Sequence, residues 1–180
     1  MKNTYYFIRH AHSNYTTDEI NRPLSDKGLE SLAQLDFLAD KPITAIYSSP
    51  YQRAIQTVEP LAQSLKLAIQ TDKRLIERKL SSQAIADQDF EEVLMQLWSR
   101  PTFSLVDGES NQQAQQRGLA LLHELESKHQ NEEIIISSHS NLICILLSAF
   151  DSRIDYNIWL SLSMPDVLVL DKDEKITRLL

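Results

Sequence analysis

The chain has 180 residues, 42% hydrophobic and 24% charged, which suits one compact domain, residues 1–180, with a continuous core. Asp and Glu number 25 against 18 Lys and Arg, and the formal net charge of -7 gives an overall field that repels nucleic acid and anionic membrane. Neither is expected as a partner, and any anion the protein binds must be held by a local cluster.

Only three glycines occur, so neither a dinucleotide fingerprint nor a Gly-rich phosphate loop can be written in this chain. No stretch approaches the roughly 20 apolar residues of a membrane span, and the early "YYFI" is too short for a signal peptide. Cys144, in "NLICILLSAF", reads as a small buried hydrophobe without a disulfide partner, which fits a reducing compartment and a cytoplasmic protein. No repeat, low-complexity tract or linker divides the chain.

In chain order, "TYYFIR" (Thr4 to Arg9) predicts a first strand that runs straight into Arg9, His10 and His12. "SDKGLESLAQLDFLAD" follows as an amphipathic helix, with Leu29, Leu32, Leu35 and Leu38 recurring every three residues. A second strand, "ITAIYS" (Ile43 to Ser48), leads into the helix "PYQRAIQTVEPLAQSL". There Ser49 reads as the N-cap, Pro50 as the first helical residue and Arg53 as about one turn inside, while Pro60 predicts a kink or restart. Helical patterns at "QDFEEVLMQLWS" and "ESNQQAQQRGLALLHELESK" precede a third strand, "EIIISS" (Glu133 to Ser138). His139 comes next, then the helix "SNLICILLSAF", capped by Ser138 or Ser140, a strand "DVLVLD" (Asp166 to Asp171) and a possible edge strand in "KITRLL". Near-continuous apolar strands alternating with helices predict an α/β fold: a three-layer α/β/α sandwich with a mainly parallel central sheet.

Consecutive strand side chains point to opposite faces, so Arg9 and His10 converge on one ligand only where regular strand geometry has ended. Ligand sites of open α/β sheets lie beyond such carboxyl ends. Three strands each deliver an Arg, a His or both to one edge, and buried cations repel one another unless an anion neutralises them. Any one of these residues alone would read as an ordinary surface or core group; their joint placement argues for a site. The simplest anion is a phosphoryl group.

These residues lie in motifs that resemble the histidine phosphatase superfamily, which includes cofactor-dependent phosphoglycerate mutases. The resemblance rests on "IRHAHS", "RPLSDKG", "YSSPYQRAIQT", "LIER", "DGES" and "IIISSHS", in the family's order from Arg9 to His139. It implies a phosphoglycerate mutase-like fold, with His10 as phosphate-accepting nucleophile, Arg9 and Arg53 as phosphate ligands, His139 as a further pocket histidine and Glu77 as proton donor. Like charges from Arg9 and Arg53 should hold His10 neutral and so nucleophilic. Ser13, Thr16 and Ser140 are candidate substrate-binding hydroxyls, and Ala11 stands where the motif has Gly. Arg78 is expected to point elsewhere, and His12 to line the mouth or cap a loop. His123 and His129 are expected to face solvent, and Trp98 and Trp159 to serve as core or lid residues.

Ser81 to Val106, within a helical cap segment around 81–108, should cover the site and choose the substrate. The resulting expectation is a metal-independent phosphomonoesterase that acts on a small phosphorylated substrate, without a cofactor, through a phosphohistidine. A mutase, a protein phosphohistidine phosphatase and a noncatalytic phospho-ligand sensor are the alternatives.

Overall fold

A computed structural model of the chain describes residues 1–83 and 85–180; position 84, within the segment expected to cover the site, lies outside the described residues. Six strands form one sheet: β1 (Thr4–Arg9), β2 (Ile43–Ser48), β3 (Ile69–Thr71), β4 (Glu133–Ser138), β5 (Asp166–Leu170) and β6 (Ile176–Arg178). Their order across the sheet is β3-β2-β4-β1-β5-β6. The first four in that order run parallel; β5 and β6 are antiparallel additions on the other side of β1. The helices are α1 (Asp26–Glu30), α2 (Gln52–Leu65), α3 (Asp87–Ser99), α4 (Asn111–Lys128), α5 (Ser140–Leu147) and α6 (Tyr156–Ser161). Among the described residues no helix is long and apolar enough to cross a membrane.

Both faces of the sheet are covered, which is why its strands lack polar alternation. On one face Tyr5, Phe7, Ile134 and Ile136 pack with Leu121, Leu122 and Leu125 of α4 and with buried residues of α5. On the other, Tyr6, Ile8, Ile46 and Ile135 meet Val58 and Leu61 of α2 together with Leu35 and Leu38. Each of these aliphatic side chains, once buried, contributes about 1.5–3 kcal/mol relative to exposure. Cys144 is buried within the first cluster, and Trp98 and Trp159 pack partly buried against it.

The leucine repeat after His12 belongs to a different helix type from the one its sequence suggests. Only α1 is α-helical; Ser31–Asp40 is a 3-10 helix. A strict three-residue spacing stays on one face only at three residues per turn, whereas in an α-helix it drifts around the axis. Leu35 and Leu38 accordingly face the core, and Leu29, before the 3-10 segment, is exposed. Pro60 neither ends nor restarts α2, which runs from Gln52 to Leu65 around it. The helix begins later than expected, with Tyr51 rather than Ser49 at its N-cap, because the Ser49 hydroxyl is engaged at the sheet edge. His129 is also not solvent-facing: its ring bridges the Tyr47 hydroxyl (2.9 Å) and the Glu132 carboxylate (2.8 Å) at the end of α4.

Parallel register brings the chemistry together. Arg9 pairs with Ser138 and Ser48 with Ser137, so β1, β4 and β2 end level. The residues that follow, His10, His139 and Ser49, emerge side by side. The His10 amide still donates to the Ser138 carbonyl (3.0 Å), and the Ser49 amide to the Ser137 carbonyl (2.9 Å).

The loop after β1 is pinned by close backbone packing at α1. Ser25 caps that helix by accepting from the Gly28 amide (3.1 Å), and its own amide donates to the His12 carbonyl (3.0 Å). A Cβ on Gly28 would collide with that carbonyl oxygen. Gly28→Ala should therefore destabilise the protein by about 1–3 kcal/mol, as overpacking does. Urea titration checks this; an unchanged midpoint would show that the loop carrying His10 is not held in this way.

Candidate active site

His10 lies just past the end of β1 and is buried. Its Nδ1–H donates to the Ala11 carbonyl (2.7 Å), and its Nε2 accepts from Arg53 Nε (3.2 Å). These partners select one neutral tautomer, with the proton on Nδ1 and the lone pair on Nε2. Burial lowers the His10 pKa to about 3, with Arg53, Arg9 and Arg22 acting in the same direction. The expected effect of the arginines is present, but desolvation is the larger cause.

His139 follows β4 and meets His10 edge-on, ring centroids 5.1 Å apart. Its Nε2 is hydrogen-bonded to Ser49 Oγ (2.9 Å), while its buried Nδ1 has no partner among the described residues. Burial, then His10 and Arg53, hold its pKa well below the ordinary histidine value. Tyr51 packs against His139 at 5.1 Å and carries the Arg53 guanidinium over its ring at 4.8 Å. That stacking helps aim Arg53 across the sheet edge.

His10, Arg53 and Glu77 line one cavity of about 830 Å3. Glu77 accepts from the amides of Arg78 (2.8 Å), Leu142 (3.1 Å) and Asn141 (3.3 Å), so its carboxylate rests on the start of α5. That contact corrects the expected capping of α5. His139 is its N-cap and makes no side-chain cap bond, Ser138 Oγ donates to the Leu75 carbonyl, and Ser140 Oγ accepts from Trp159 Nε1. A carboxylate at this position suits the partial positive charge of the helix start.

Arg78 does not point elsewhere. It lines the same cavity, is 2% exposed, and none of its three guanidinium nitrogens has a hydrogen-bond partner among the described residues. Burial lowers its pKa, opposed by Glu77 and Glu109. A desolvated, unpaired guanidinium is expensive unless an anion completes it. Arg22 and Lys79 add to the cationic lining.

Arg9, like His139, is not among the cavity-lining residues. It remains within β1, where Nη1 donates to the Leu162 carbonyl (2.6 Å) and Nε is buried without a partner among the described residues. Ser13 and Ser140 also lie off the cavity lining, and Thr16 is exposed, with its hydroxyl donating to the Asp18 carbonyl (3.3 Å). His12 Nδ1 is hydrogen-bonded to Ser25 Oγ (2.7 Å), a loop-capping contact. From the expected cap segment, Ser81, Gln83, Ile85 and Phe90 face the cavity. Gly108 of "DGES" lies against Leu80 so closely that a Cβ would collide with the Leu80 carbonyl, and Ser110 forms a capping box with Gln113.

Sequence reasoning missed Ser49, Arg22 and Arg78 as members of the site. For Arg78 the signal was present, since it stands next to Glu77 in "LIER". Backbone direction after Leu75 decides whether one or both side chains turn inward, and the motif alone does not give it.

A sequence profile described as Histidine phosphatase superfamily (branch 1) matches residues 5–170. Rv0525, an uncharacterized protein of Mycobacterium tuberculosis (strain ATCC 25618 / H37Rv), is 46% identical over 48 residues, which are 27% of this chain and 24% of that protein. Among solved structures, the mycobacterial glucosyl-3-phosphoglycerate phosphatase Rv2419c is similar with a TM-score of 0.76 at 20% identity, over 92% of this chain and 88% of that one. A phosphoglycerate mutase from Bacillus anthracis str. Sterne gives 0.74 at 22% identity, over 98% and 91%. At such identities the structural likeness establishes the fold.

Two buried neutral imidazoles make stability depend on pH. Both folded-state pKa values lie below the ordinary 6.5, so as pH falls the unfolded chain takes up these protons first. Their neutral burial is without penalty above about pH 6.5, and stability is lost from there toward the folded value of about 3 for His10. The loss should reach up to about 1.4 kcal/mol per pH unit for each histidine. Urea midpoints measured from pH 7 to pH 4 should fall steeply, and less so for His10→Asn. Equal slopes in the two proteins would show that His10 is not held neutral.

Proposed function

The chain belongs to the histidine phosphatase superfamily, and from that premise we propose that it hydrolyses small phosphate monoesters through a phosphohistidine on His10. What carries the reading is the ring of His10. Its proton is committed to the Ala11 carbonyl, its Nε2 lone pair faces Arg53, and it lines a cavity that also holds Glu77.

In the first step Arg53 Nε gives up its bond to His10 Nε2 in favour of a phosphoryl oxygen, the freed lone pair attacks phosphorus and the bond to the ester oxygen breaks. Glu77, having taken up a proton from solvent as the phosphate dianion enters beside it, delivers that proton to the departing alkoxide, which is too basic to leave unprotonated. In the second step water attacks the phosphohistidine, Glu77 takes its proton, the phosphorus–nitrogen bond breaks and His10 recovers its lone pair. Arg53 offers a planar, permanently charged fork to the phosphoryl oxygens, and most of the rate gain comes from such positioning and charge stabilisation. Ser49 fits the role of orienting His139; with its hydroxyl donating to Nε2, the proton of the neutral ring sits on the buried Nδ1, a donor that a phosphoryl group on His10 would have to reach past the cavity wall. Arg9 backs the pocket from β1, and Arg78 supplies a further cation for the bound anion. Ser81, Gln83, Ile85 and Phe90 form a wall against which the organic part of the substrate would rest.

With chelator present, the purified protein should release phosphate from an aryl phosphate and accumulate an acid-labile phosphoenzyme on rapid quench. His10→Ala should abolish both. Glu77→Gln should slow turnover by about 10²–10⁴, the range for a lost general acid–base. The deficit should be larger for alkyl than for aryl esters, whose leaving groups need less protonation. Binding of phosphate esters without turnover across a broad panel would overturn the enzymatic reading. Phosphate migration between the hydroxyls of phosphoglycerate would replace hydrolysis with mutase chemistry.

A further inference from the structure

Arg53 directs its two outward nitrogens at a residue of its own chain. Nη1 donates to the Glu19 main-chain carbonyl (2.7 Å) and Nη2 to Glu19 Oε2 (2.9 Å). The other carboxylate oxygen, Oε1, lies 3.3 Å from Arg22 Nη1. The Arg22 side chain is only 12% exposed, and its Nε is buried without a partner among the described residues. A carboxylate is therefore lodged between two guanidinium groups, on the rim of the cavity lined by His10. This is the charge and fork geometry that an oxyanion ligand of Arg53 would take over.

The loop that presents Glu19 is tied down on both sides. The Ile20 carbonyl accepts from the Gln52 amide (2.9 Å), Gln56 Oε1 accepts from the Leu24 amide (2.9 Å), and the Asp18 carboxylate accepts from the amides of Ile20 (3.2 Å) and Asn21 (3.0 Å). Arg53 can thus keep its bond to the Glu19 main chain. Only the Glu19 side chain, 44% exposed, has to rotate for Nη2 and Arg22 to become free.

We propose that Glu19 is a specificity-determining residue: it holds the oxyanion position in the resting protein and yields it to a phosphoryl dianion. A phosphate monoester brings a charge of about -1.5 to -2 and three acceptor oxygens, more than the single charge it displaces. A diester or a simple carboxylate brings one charge and gains little by the exchange. The pocket thereby selects terminal phosphoryl groups over other anions of similar shape. The inference rests on the phosphate pocket proposed above, although the binding arm of its test requires no catalysis.

Calorimetric titration of the wild-type protein, Glu19→Gln and Glu19→Ala with inorganic phosphate and with dimethyl phosphate at neutral pH tests it. Both variants should bind phosphate roughly two- to fivefold more tightly, the range for losing a part-exposed ion pair. They should also gain measurable affinity for dimethyl phosphate, and their KM for an aryl phosphate should fall by a larger factor than kcat changes. Phosphate affinity that is unchanged, absent throughout or weaker in both variants, at an unchanged melting temperature, would overturn the proposal. A His10→Ala protein that still hydrolysed esters would remove the proposed chemistry and leave the Glu19 result standing; an unaltered phosphate affinity in Glu19→Gln would do the reverse.

Discussion

A neutral imidazole held against a permanent cation inside the protein is the constraint from which the site follows. Arg53 Nε can donate to His10 Nε2 only while that nitrogen is unprotonated, and burial together with neighbouring guanidinium groups keeps it so. The Ala11 carbonyl then fixes the tautomer. The two partners are joined through the backbone as well: Thr57 Oγ1 accepts from the Ala11 amide (3.0 Å) and donates to the Arg53 carbonyl (2.7 Å). One buried hydroxyl thus couples the loop after β1 to the first turns of α2.

The remainder of the site is electrostatically unfinished. Arg53 and Arg78 are almost wholly buried, and the acids that reach their cavity are Glu77, engaged by backbone amides, and Glu19 at the rim. A protein optimised for stability alone would bury apolar side chains in place of an Arg78 that has no partner among the described residues. Departures from local rules of this kind concentrate where a ligand supplies the missing partner.

The strands that carry His10, Arg53 and His139 to one edge were legible because apolar, β-branched runs ended at those residues, and parallel pairing of buried strands does the rest. What escaped sequence reasoning depended on contacts between distant segments. Ser49 looked like a helix cap because a Ser before a Pro usually is one, yet its hydroxyl serves His139, 90 positions away. Likewise, α5 has an adjacent serine on each side of its N-cap and uses neither, taking the carboxylate of Glu77 instead. Arg78 looked dispensable beside Glu77, since nothing local shows whether the chain turns one side chain inward or two. The leucines at three-residue intervals did signal a helix, but their spacing matched the 3-10 form more closely than the α form.

The floor of the cavity, at His10, follows a strand with β4 on one side and β5 on the other, while Ser81, Gln83, Ile85 and Phe90 of its roof belong to no strand and only Phe90 to a helix. Backbone openings therefore differ in cost across the pocket. The floor must shed two ladders of hydrogen bonds before it moves, whereas the roof can unfasten locally, at a small fraction of the global free energy. Such a molecule can remodel that part of its cavity, on either a dynamic or an evolutionary timescale, without loosening the strand ends that lead into His10 and His139.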